Sequence, residues 1–405
     1  MGETPDREQM QRLDEADPLR EFRDRFAIGP DPIAYLDCNS LGRPPKATLD
    51  RLHEVLDEEW AGRLIRGWTE GWTDLPTAVG DRLGATVLGA ESGQVVVADS
   101  TSVNLFKLLH AAAGLRPGRS EIVIDDANFP TDRYLVTAVA EQRGLTVRWV
   151  TPDASGLTGE TIEPVLSSET VAVVGCQADY RTGALADIAG LTELVHDAGA
   201  LAVWDLCHSA GIVPIELDAV RADFAVGCTY KYLNAGPGAP AFIYVAARHL
   251  PDVRQPIEGW FGAEDVFAMG PTYEPATGIR RMLSGTPNVP GLVAVDEGVR
   301  LIGEAGLNRI RAKSIALTDL VTELADTWLT PAGAEVVSPR ESVRRGSHVT
   351  VRHPEARSLT DRLIKQGVIP DFRNPDLIRL GLSPLTTSYV EAWDGLDMLR
   401  GIIAA

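Results

Sequence analysis

The amino-acid sequence predicts an α/β protein with a mainly parallel central sheet covered by helices, followed by a smaller α+β C-terminal domain. Short Val/Ile-rich runs alternate with helical patterns through the first two thirds of the chain. Beyond about Pro290 this alternation gives way to two long helical patterns. With 405 residues, 44% of them apolar, the chain can fill a core of this size.

The alternating part contains seven apolar runs of strand length. They are QVVVAD, EIVIDD, LTVRWV, TVAVVGC, LAVWDLC, DFAVGC and AFIYVA, and the intervening SVNLFKLLHAAAGL, YLVTAVAEQRG and IAGLTELVHDAGA have helical spacing. Strands that are apolar on both faces and joined by helices indicate a parallel sheet covered on both sides. Before them, residues Ala47 to Arg66 (ATLDRLHEVLDEEWAGRLIR) have the apolar spacing of one amphipathic helix.

The changes in pattern divide the chain into three parts. We predict an N-terminal arm at residues 1–45 that joins the small domain, a large α/β domain at 46–290 and a small α+β domain at 291–405. The last part begins with the helical patterns GLVAVDEGVRLIGEAG and LNRIRAKSIALTDLVTELADTWL. It continues with the strand HVTVRH, a helix and the strand-like VIPDFRNPDLIRLGL.

Charge and cysteine content exclude several classes of protein. A net charge of -19 and a pI near 4.8, without clustered Lys or Arg, argue against a nucleic-acid surface. The four cysteines are far apart and form no CxxC pair, which is typical of a reducing cytosol. The charged N-terminus has no apolar signal core, and no run reaches the ~18 apolar residues of a membrane span. We therefore expect a soluble, cytoplasmic protein.

Chemically reactive side chains collect where the predicted strands end, which is where open parallel sheets bind ligands. LAVWD ends in Asp205 with His208 following, and DFAVGCTYK ends in Tyr230 and Lys231. QVVVAD leads to Ser100, Thr101 and Ser102 at a helix start, and EIVIDD leads to Phe129 and Asp132 at another. Each feature alone has a plainer explanation: a Ser/Thr cluster is usually a helix N-cap, and a strand-end lysine can extend to water.

Together these residues match the requirements of pyridoxal phosphate. Lys231 supplies an amine that can join the cofactor aldehyde, and burial would keep it partly neutral. Asp205 supplies a carboxylate that can hold the pyridine nitrogen protonated. Phe129 supplies a flat ring for stacking, and a helix N-terminus at Thr101 can receive the phosphate.

Several longer segments make the similarity specific. The segments are YLDCNSLGRPPKATLD, VVVADSTSVNLFKLL, NFPTDRY, VWDLCHSAG, ADFAVGCTYKYLNAGPGAPAF, GWFG, SGTPN and RNPDLIRLGLSPL, in this order from about Tyr35 to Leu385. The chain resembles the kynureninases, which belong to the aspartate aminotransferase-like, fold type I pyridoxal phosphate enzymes. WDLCHSAG together with YKYLNAGPG distinguishes this family from most aminotransferases and desulfurases.

The resemblance implies a role for each matching residue. It places Thr101 and Ser102 at the phosphate, Phe129 to Asp132 along the cofactor, Asp205 at the ring nitrogen, and His208 and Tyr230 beside the site, with Tyr230 bonding the phosphate. Catalytic roles fall to Lys231, Asp205, Tyr230 and Asp132. Trp260 and Thr286 are expected to reach the phosphate from the neighbouring subunit of a homodimer. Substrate contacts are expected from Arg379, which would bind the α-carboxylate, and from Trp68, Asn39 and Gly285.

The implied reaction is hydrolysis of the Cβ–Cγ bond of L-kynurenine, 3-hydroxykynurenine or a further ring-substituted analogue, yielding L-alanine and anthranilate or its hydroxy derivative. Lys231 would move the α-proton, and water would add to the γ-carbonyl. Two departures leave the ring preference open, because Ala263 replaces a histidine of many relatives and Gly285-Thr286 replaces the Ser-Asn of animal members.

Four alternatives are weaker. A cysteine desulfurase needs a mobile cysteine in the small domain, and none follows Cys228. A catalytically silent binding homologue is disfavoured by the presence of Lys231, Asp205 and Arg379. His53, His110 and His196 lack partners at zinc-ligand spacing, so no metal is expected. NAGPGAP lacks the GxGxxG of a dinucleotide loop.

Overall fold

The computed structural model describes residues 5–30, 32–153 and 156–404. The first four residues of the predicted N-terminal arm, and the last residue of the predicted small domain, lie outside these ranges. No helix among the described residues is long and apolar enough to cross a membrane.

The helices and strands are numbered in chain order. The α-helices are α1 (Arg7–Ala16), α2 (Arg20–Arg23), α3 (Lys46–Glu54), α4 (Leu75–Leu83), α5 (Thr101–Leu115), α6 (Pro130–Arg143), α7 (Gly159–Ile162), α8 (Ile188–Asp197), α9 (Val289–Ala305), α10 (Leu307–Leu324), α11 (Ala356–Lys365) and α12 (Tyr389–Ala404). The strands are β1 (Ala34–Tyr35), β2 (Val95–Val97), β3 (Glu121–Asp125), β4 (Thr146–Val150), β5 (Thr170–Cys176), β6 (Leu201–Asp205), β7 (Phe224–Gly227), β8 (Phe242–Val245), β9 (Glu335–Val336), β10 (His348–Arg352), β11 (Val368–Ile369), β12 (Asp371–Arg373) and β13 (Leu377–Gly381).

Strands β2 to β8 form one seven-stranded sheet in the order β2-β8-β7-β6-β5-β3-β4. Each of the seven predicted apolar runs contributes one strand, so this part of the prediction is confirmed. The sheet is mainly parallel, as predicted: β8 runs antiparallel to both of its neighbours, and the other pairs are parallel.

Apart from the edge strand β4, which is mostly exposed, the strands of the sheet are apolar on both sides and the sheet is covered on both faces. In β6, Ala202 and Trp204 point into one hydrophobic cluster, whereas Leu201 and Val203 point into another. Side chains alternate between the faces of a strand, so a continuous apolar run supplies two cores at once. This double burial fixes the position of the strand ends, where the polar residues begin.

The amphipathic stretch after the arm differs from the single helix predicted for it. It forms α3, then a π-helix over Val55–Ala61 and a 3-10 helix over Leu64–Trp68. Leu64 has a φ of 54°, a left-handed backbone conformation that a right-handed helix cannot contain. The apolar spacing continues past this break, which is why the sequence pattern did not reveal it.

The C-terminal part contains an antiparallel sheet of order β12-β13-β10-β9. The arm packs against this part, since β1 pairs in parallel with β11 and Arg7 bonds Asp394 at 2.7 Å. Helix α9 shares a hydrophobic cluster with the central sheet through Val295 and Val299. The domain boundaries at residues 45/46 and 290/291 stay a prediction.

Candidate active site

Most of the predicted site residues meet at the carboxyl ends of the parallel strands, around a cavity of about 210 Å³. Its lining includes the predicted residues Thr101, Ser102, Phe129, Asp132, Asp205, His208, Tyr230 and Lys231. Larger cavities of about 660 and 920 Å³ exist elsewhere, but none of the predicted catalytic residues lines them. The chemistry of the lining, and not the volume, distinguishes this cavity.

Lys231 is the buried amine of the site. It follows β7 and is only 7% exposed, and its Nζ lies 3.1 Å from His208 Nε2. The segment that carries it is held by the N-terminal arm, because the backbone N–H of Gly42 donates to the carbonyl of Tyr230 at 2.8 Å. A Cβ on Gly42 would lie 2.2 Å from the carbonyl oxygen of Lys231, so only glycine permits this approach.

Two carboxylates lie near the amine. The ligand atoms of Asp132, Cys176 and Asp205 are all within 4.8 Å of one another, and Asp205 Oδ1 accepts from Cys207 N at 2.6 Å. Burial and the neighbouring Asp205 raise the pKa of Asp132 well above its ordinary value. Because this shift disfavours two negative charges at once, the pair is suited to a ligand with one positive charge, such as a protonated ring nitrogen.

The same three residues could in principle hold a metal ion. Burial, followed by the charge of Asp205 and Asp132, raises the pKa of the Cys176 thiol well above its usual value. Metal ions bind the thiolate form of cysteine, which is disfavoured here. The site is therefore better suited to an organic cation than to a metal.

The start of α5 supplies an anion site. Ser100 is the N-cap and accepts from Val103 N at 3.3 Å, and Thr101 and Ser102 begin the helix. Backbone N–H groups in the first turn have no partner within the helix, and they form the positive end of the helix dipole. A phosphate group bound here would accept hydrogen bonds from those N–H groups and from the two hydroxyls.

Phe129 and Tyr180 supply the aromatic rings. Phe129 precedes α6, and its ring meets that of Tyr180 edge to face at 5.2 Å. Both residues line the cavity. A planar ring between the strand ends and these side chains would have an apolar surface to pack against.

Arg379 lies on β13 beside this cavity and is 1% exposed. Its Nη1 donates to the carbonyl of Tyr180 at 2.6 Å, and its Nη2 lies 2.6 Å from Asp371 Oδ2 and donates to Ser40 Oγ at 2.8 Å. When the side-chain amide of Asn39 is oriented so that its oxygen and its nitrogen both have hydrogen-bond partners, Asn39 Oδ1 accepts from Arg379 Nε at 2.8 Å. The chain itself thus holds most of the guanidinium donors, which fixes the orientation of Arg379.

The remaining predicted residues lie outside the 210 Å³ cavity. Trp68 packs against Trp72 and Phe261, with ring centroids 5.3 and 5.7 Å apart. Trp260 and Ala263 line the cavity of about 920 Å³, and Gly285 and Thr286 line one of about 400 Å³ that also contains Thr101 and Tyr230. Their roles at the substrate ring and at the phosphate of a neighbouring subunit stay predictions.

Several residues at or beside the site escaped sequence reasoning, among them Cys176, Tyr180 and His348. Cys176 ends β5, so the rule that ligands bind at strand ends could have found it. Tyr180 lies in a loop and His348 on a strand of the C-terminal sheet, and neither is marked by spacing. Only the packing of distant segments brings them here.

The residues present fit pyridoxal phosphate. A buried amine, a carboxyl pair, an anion site at a helix start and aromatic side chains converge on one cavity. This is the donor set that the aldehyde, the pyridine nitrogen, the phosphate and the ring of the cofactor require.

Solved structures have the same fold. The fold matches a cysteine desulfurase from Thermococcus onnurineus with a TM-score of 0.78 at 19% identity, covering 92% of this chain and 94% of that one. It also matches a C-DES variant with glycine covalently linked to its pyridoxal phosphate cofactor, with a TM-score of 0.79 at 17% identity, covering 98% and 99%. Fold and site together define a pyridoxal phosphate-dependent enzyme of fold type I.

Sequence relatives narrow the class to a family. The chain is 44% identical to the kynureninase of Pseudomonas fluorescens over 398 residues, covering 96% of this chain and 94% of the relative. It is 41% identical to the kynureninase of Burkholderia pseudomallei, covering 98% and 95%. A family model described as the kynureninase C-terminal domain matches residues 310–399. The chain belongs to the kynureninase family.

Proposed function

We propose that this chain hydrolyses the Cβ–Cγ bond of L-kynurenine or 3-hydroxykynurenine and releases L-alanine and anthranilate or 3-hydroxyanthranilate. The observation that carries the proposal is Lys231, a buried amine 3.1 Å from His208 in a cavity that Asp205 also lines, in a chain 44% identical to a kynureninase over nearly its whole length. Water balances the reaction: it supplies the hydroxyl of the aromatic acid and a proton to the alanine methyl group.

When bound, pyridoxal phosphate supplies an electron sink for negative charge that develops on the substrate carbons. The protein would hold its phosphate with Thr101, Ser102 and Tyr230. Phe129 would pack against the ring, and Asp205 would hold the ring nitrogen in its protonated form.

Lys231 is the proposed base for the α-proton of the substrate. Its Nζ would accept that proton and return it, and His208 lies in contact to hold the amine in place. Burial and Asp205 raise the pKa of Asp132, which would disfavour a second negative charge beside the ring nitrogen.

Arg379 is the proposed site for the α-carboxylate. Its bonds to Tyr180, Ser40 and Asp371 use most of its donors, so the substrate would bind the remaining N–H or exchange with Asp371. Asn39, in contact with the same guanidinium, would orient it.

Trp68 and Gly285 are proposed near the aromatic ring of the substrate. Since Ala263 and Gly285 are small, we expect a slot wide enough for ring substituents. A kcat/KM for 3-hydroxykynurenine at least equal to that for kynurenine would support this slot. A Trp68→Ala variant with an unaltered ring preference would contradict it.

We also propose a cytoplasmic homodimer in which Trp260 and Thr286 reach the site of the partner. Support comes from large exposed apolar side chains in two segments. Phe267 and Met269 follow Trp260, and Trp60, Leu64 and Ile65 precede Trp68, whose ring lies 5.7 Å from that of Phe261. Such side chains are typical of a covered surface. Light scattering of the purified protein, with Ile65→Glu as the disrupting variant, tests the dimer.

Neither rival function gains support from the cysteines or the site. Cys38 and Cys228 are buried and Cys176 and Cys207 are only partly exposed, so no described cysteine resembles the mobile nucleophile of a desulfurase. The decisive experiment measures anthranilate release from kynurenine by the purified holoenzyme, with alanine production from cysteine as the comparison. Lys231→Ala should abolish release, and borohydride reduction should label Lys231. Activity toward cysteine alone, or label on another lysine, would overturn the proposal.

A further inference from the structure

His348 is a buried histidine that the proposed mechanism leaves without a task. It lies on β10 and is 1% exposed, and neither ring nitrogen has a hydrogen-bond partner in the described part of the chain. Burying polar atoms without partners is unfavourable, and an apolar side chain would fill this space at lower cost. Such exceptions to good packing are expected at functional sites.

The ring of His348 lies against the site. Its centroid is 6.0 Å from that of His208, with an interplanar angle of 63°, and His208 Nε2 in turn lies 3.1 Å from Lys231 Nζ. Behind His348 is Gly183, with a φ of 75°, where an added Cβ would lie 2.9 Å from the His348 carbonyl oxygen and 3.2 Å from Nε2. His348 is thus held between a glycine backbone and the His208 ring.

His348 also connects this contact to the C-terminal sheet. In the β10–β13 pair, His348 is opposite Gly381 and Thr350 is opposite Arg379, so His348 and Arg379 share one face of that sheet. The charged or titratable groups facing the two histidines and Lys231 are Arg379, Arg373, Asp132, Asp205, Cys207, Cys228 and Tyr230. Burial, followed by the positive charges of Lys231, Arg379 and Arg373, lowers the pKa of both histidines well below its usual value. Both rings are therefore neutral at pH 7.

We propose that His348 is a positioning residue: its ring holds the His208 imidazole so that Nε2 faces Lys231, and it thereby raises the proton affinity of the Lys231 nitrogen in the holoenzyme. A neutral imidazole with its proton on Nδ1 presents a lone pair at Nε2, which stabilises a protonated nitrogen. Without His348 the His208 ring can rotate, and that stabilisation weakens.

The test is a pH titration of the visible absorbance of the bound cofactor, without substrate, in the wild-type holoenzyme and in His348→Ala, which removes the ring. We expect the midpoint of the variant to lie lower by ~0.5 to 1 pH unit, a roughly three- to tenfold loss of proton affinity. His348→Gln, which keeps a polar group of similar reach, should shift the midpoint in the same direction by a smaller amount.

The control is His353→Ala. His353 follows the same strand, but its ring accepts a hydrogen bond from Glu355 N and does not face the site. The titration midpoint of this variant should therefore match that of the wild type. Unchanged midpoints in both His348 variants would overturn the inference, and His348→Gln alone decides it if the Ala variant does not fold.

The inference rests on Lys231 carrying the cofactor, and the two failures are distinguishable. If Lys231→Ala keeps the pH-dependent band, the lysine assignment fails and this inference fails with it. If that band disappears in Lys231→Ala but the midpoints of the His348 variants do not move, only the positioning role fails.

Discussion

Buried carboxyl groups have opposite pKa shifts at the two ends of the central sheet. At the amino end, Asp223 is 2% exposed and accepts hydrogen bonds from His196, His249, Arg248 and the backbone of Ala202, at 2.6 to 2.8 Å. Burial alone would raise its pKa, but the bonds from His249, Ala202 N–H and His196, with the charge of Arg248, lower it below its ordinary value.

At the carboxyl end, burial is not compensated. Burial raises the pKa of Asp125 to about 6, although Asn128 donates to it at 2.8 Å. Burial and Asp205 also raise the pKa of Asp132 well above its ordinary value. The amino end uses its carboxylate for stability, whereas the carboxyl end holds uncompensated carboxyl groups beside the cavity, at a cost in stability.

The largest effect should come from Asp205→Asn. An amide cannot hold a protonated ring nitrogen, so we expect kcat to fall ~10³-fold, about 4 kcal/mol of transition-state stabilisation, with KM changed only a few-fold. Steady-state kinetics of the holoenzyme measure this. A turnover number close to that of the wild type would remove Asp205 from the proposed role.

At the opposite end, Asp223→Asn should reduce stability and not rate. Removing one member of a buried, hydrogen-bonded charge cluster costs ~3 kcal/mol or more. Since the folded pKa is lowered, the contribution is present above the unfolded value of ~3.9 and is lost as pH falls through the folded value. Urea unfolding at pH 7 should show the full loss, and unfolding near pH 3 a smaller one. A large fall in kcat, with stability intact, would invalidate the comparison.

Arg379→Lys should raise KM for kynurenine roughly 100-fold, about 2.7 kcal/mol, while the cofactor spectrum stays normal. Lysine lacks the planar fork that matches a carboxylate and that also reaches Tyr180, Ser40 and Asp371. Substrate titrations followed by absorbance measure affinity directly. An unaltered KM would place the carboxylate site elsewhere.

The smallest expected effect is a gain in stability. The asparagine in Asp125→Asn cannot ionise, so the variant avoids the cost of a buried charge above pH 6. Part of this gain is offset because a hydrogen bond to a charged group is lost. We therefore expect the free energy of unfolding at pH 7.5 to rise by about 1 kcal/mol. Because the folded pKa of Asp125 is raised, the wild type loses stability as pH rises through about 6. The difference between variant and wild type should therefore vanish below pH ~4. A variant less stable at pH 7.5 would show that Asp125 is compensated after all.

The sequence was sufficient for the central sheet because nearly every strand is an apolar run. It also predicted that Lys231 and Asp205, which end such runs, lie close together, and both line the 210 Å³ cavity, whereas their catalytic roles stay predictions. It did not reveal the break at Leu64, where apolar spacing continues through a left-handed residue. Nor did it reveal Tyr180 and His348. Their place depends on the C-terminal sheet packing across the strand ends, and no local pattern encodes a contact between distant segments.

The close approach of Gly42 to the lysine segment has a consequence for how the chain can be altered. Residues at the start of the chain hold the backbone of Tyr230 and Lys231, so the arm is a supporting wall of the site and not a dispensable extension. Extra residues added before α1 should be tolerated, whereas a chain shortened past Gly42 would lose that support. Directed evolution of this enzyme should therefore treat the segment around Gly42 as part of the active-site framework, although it lies far from Lys231 in sequence.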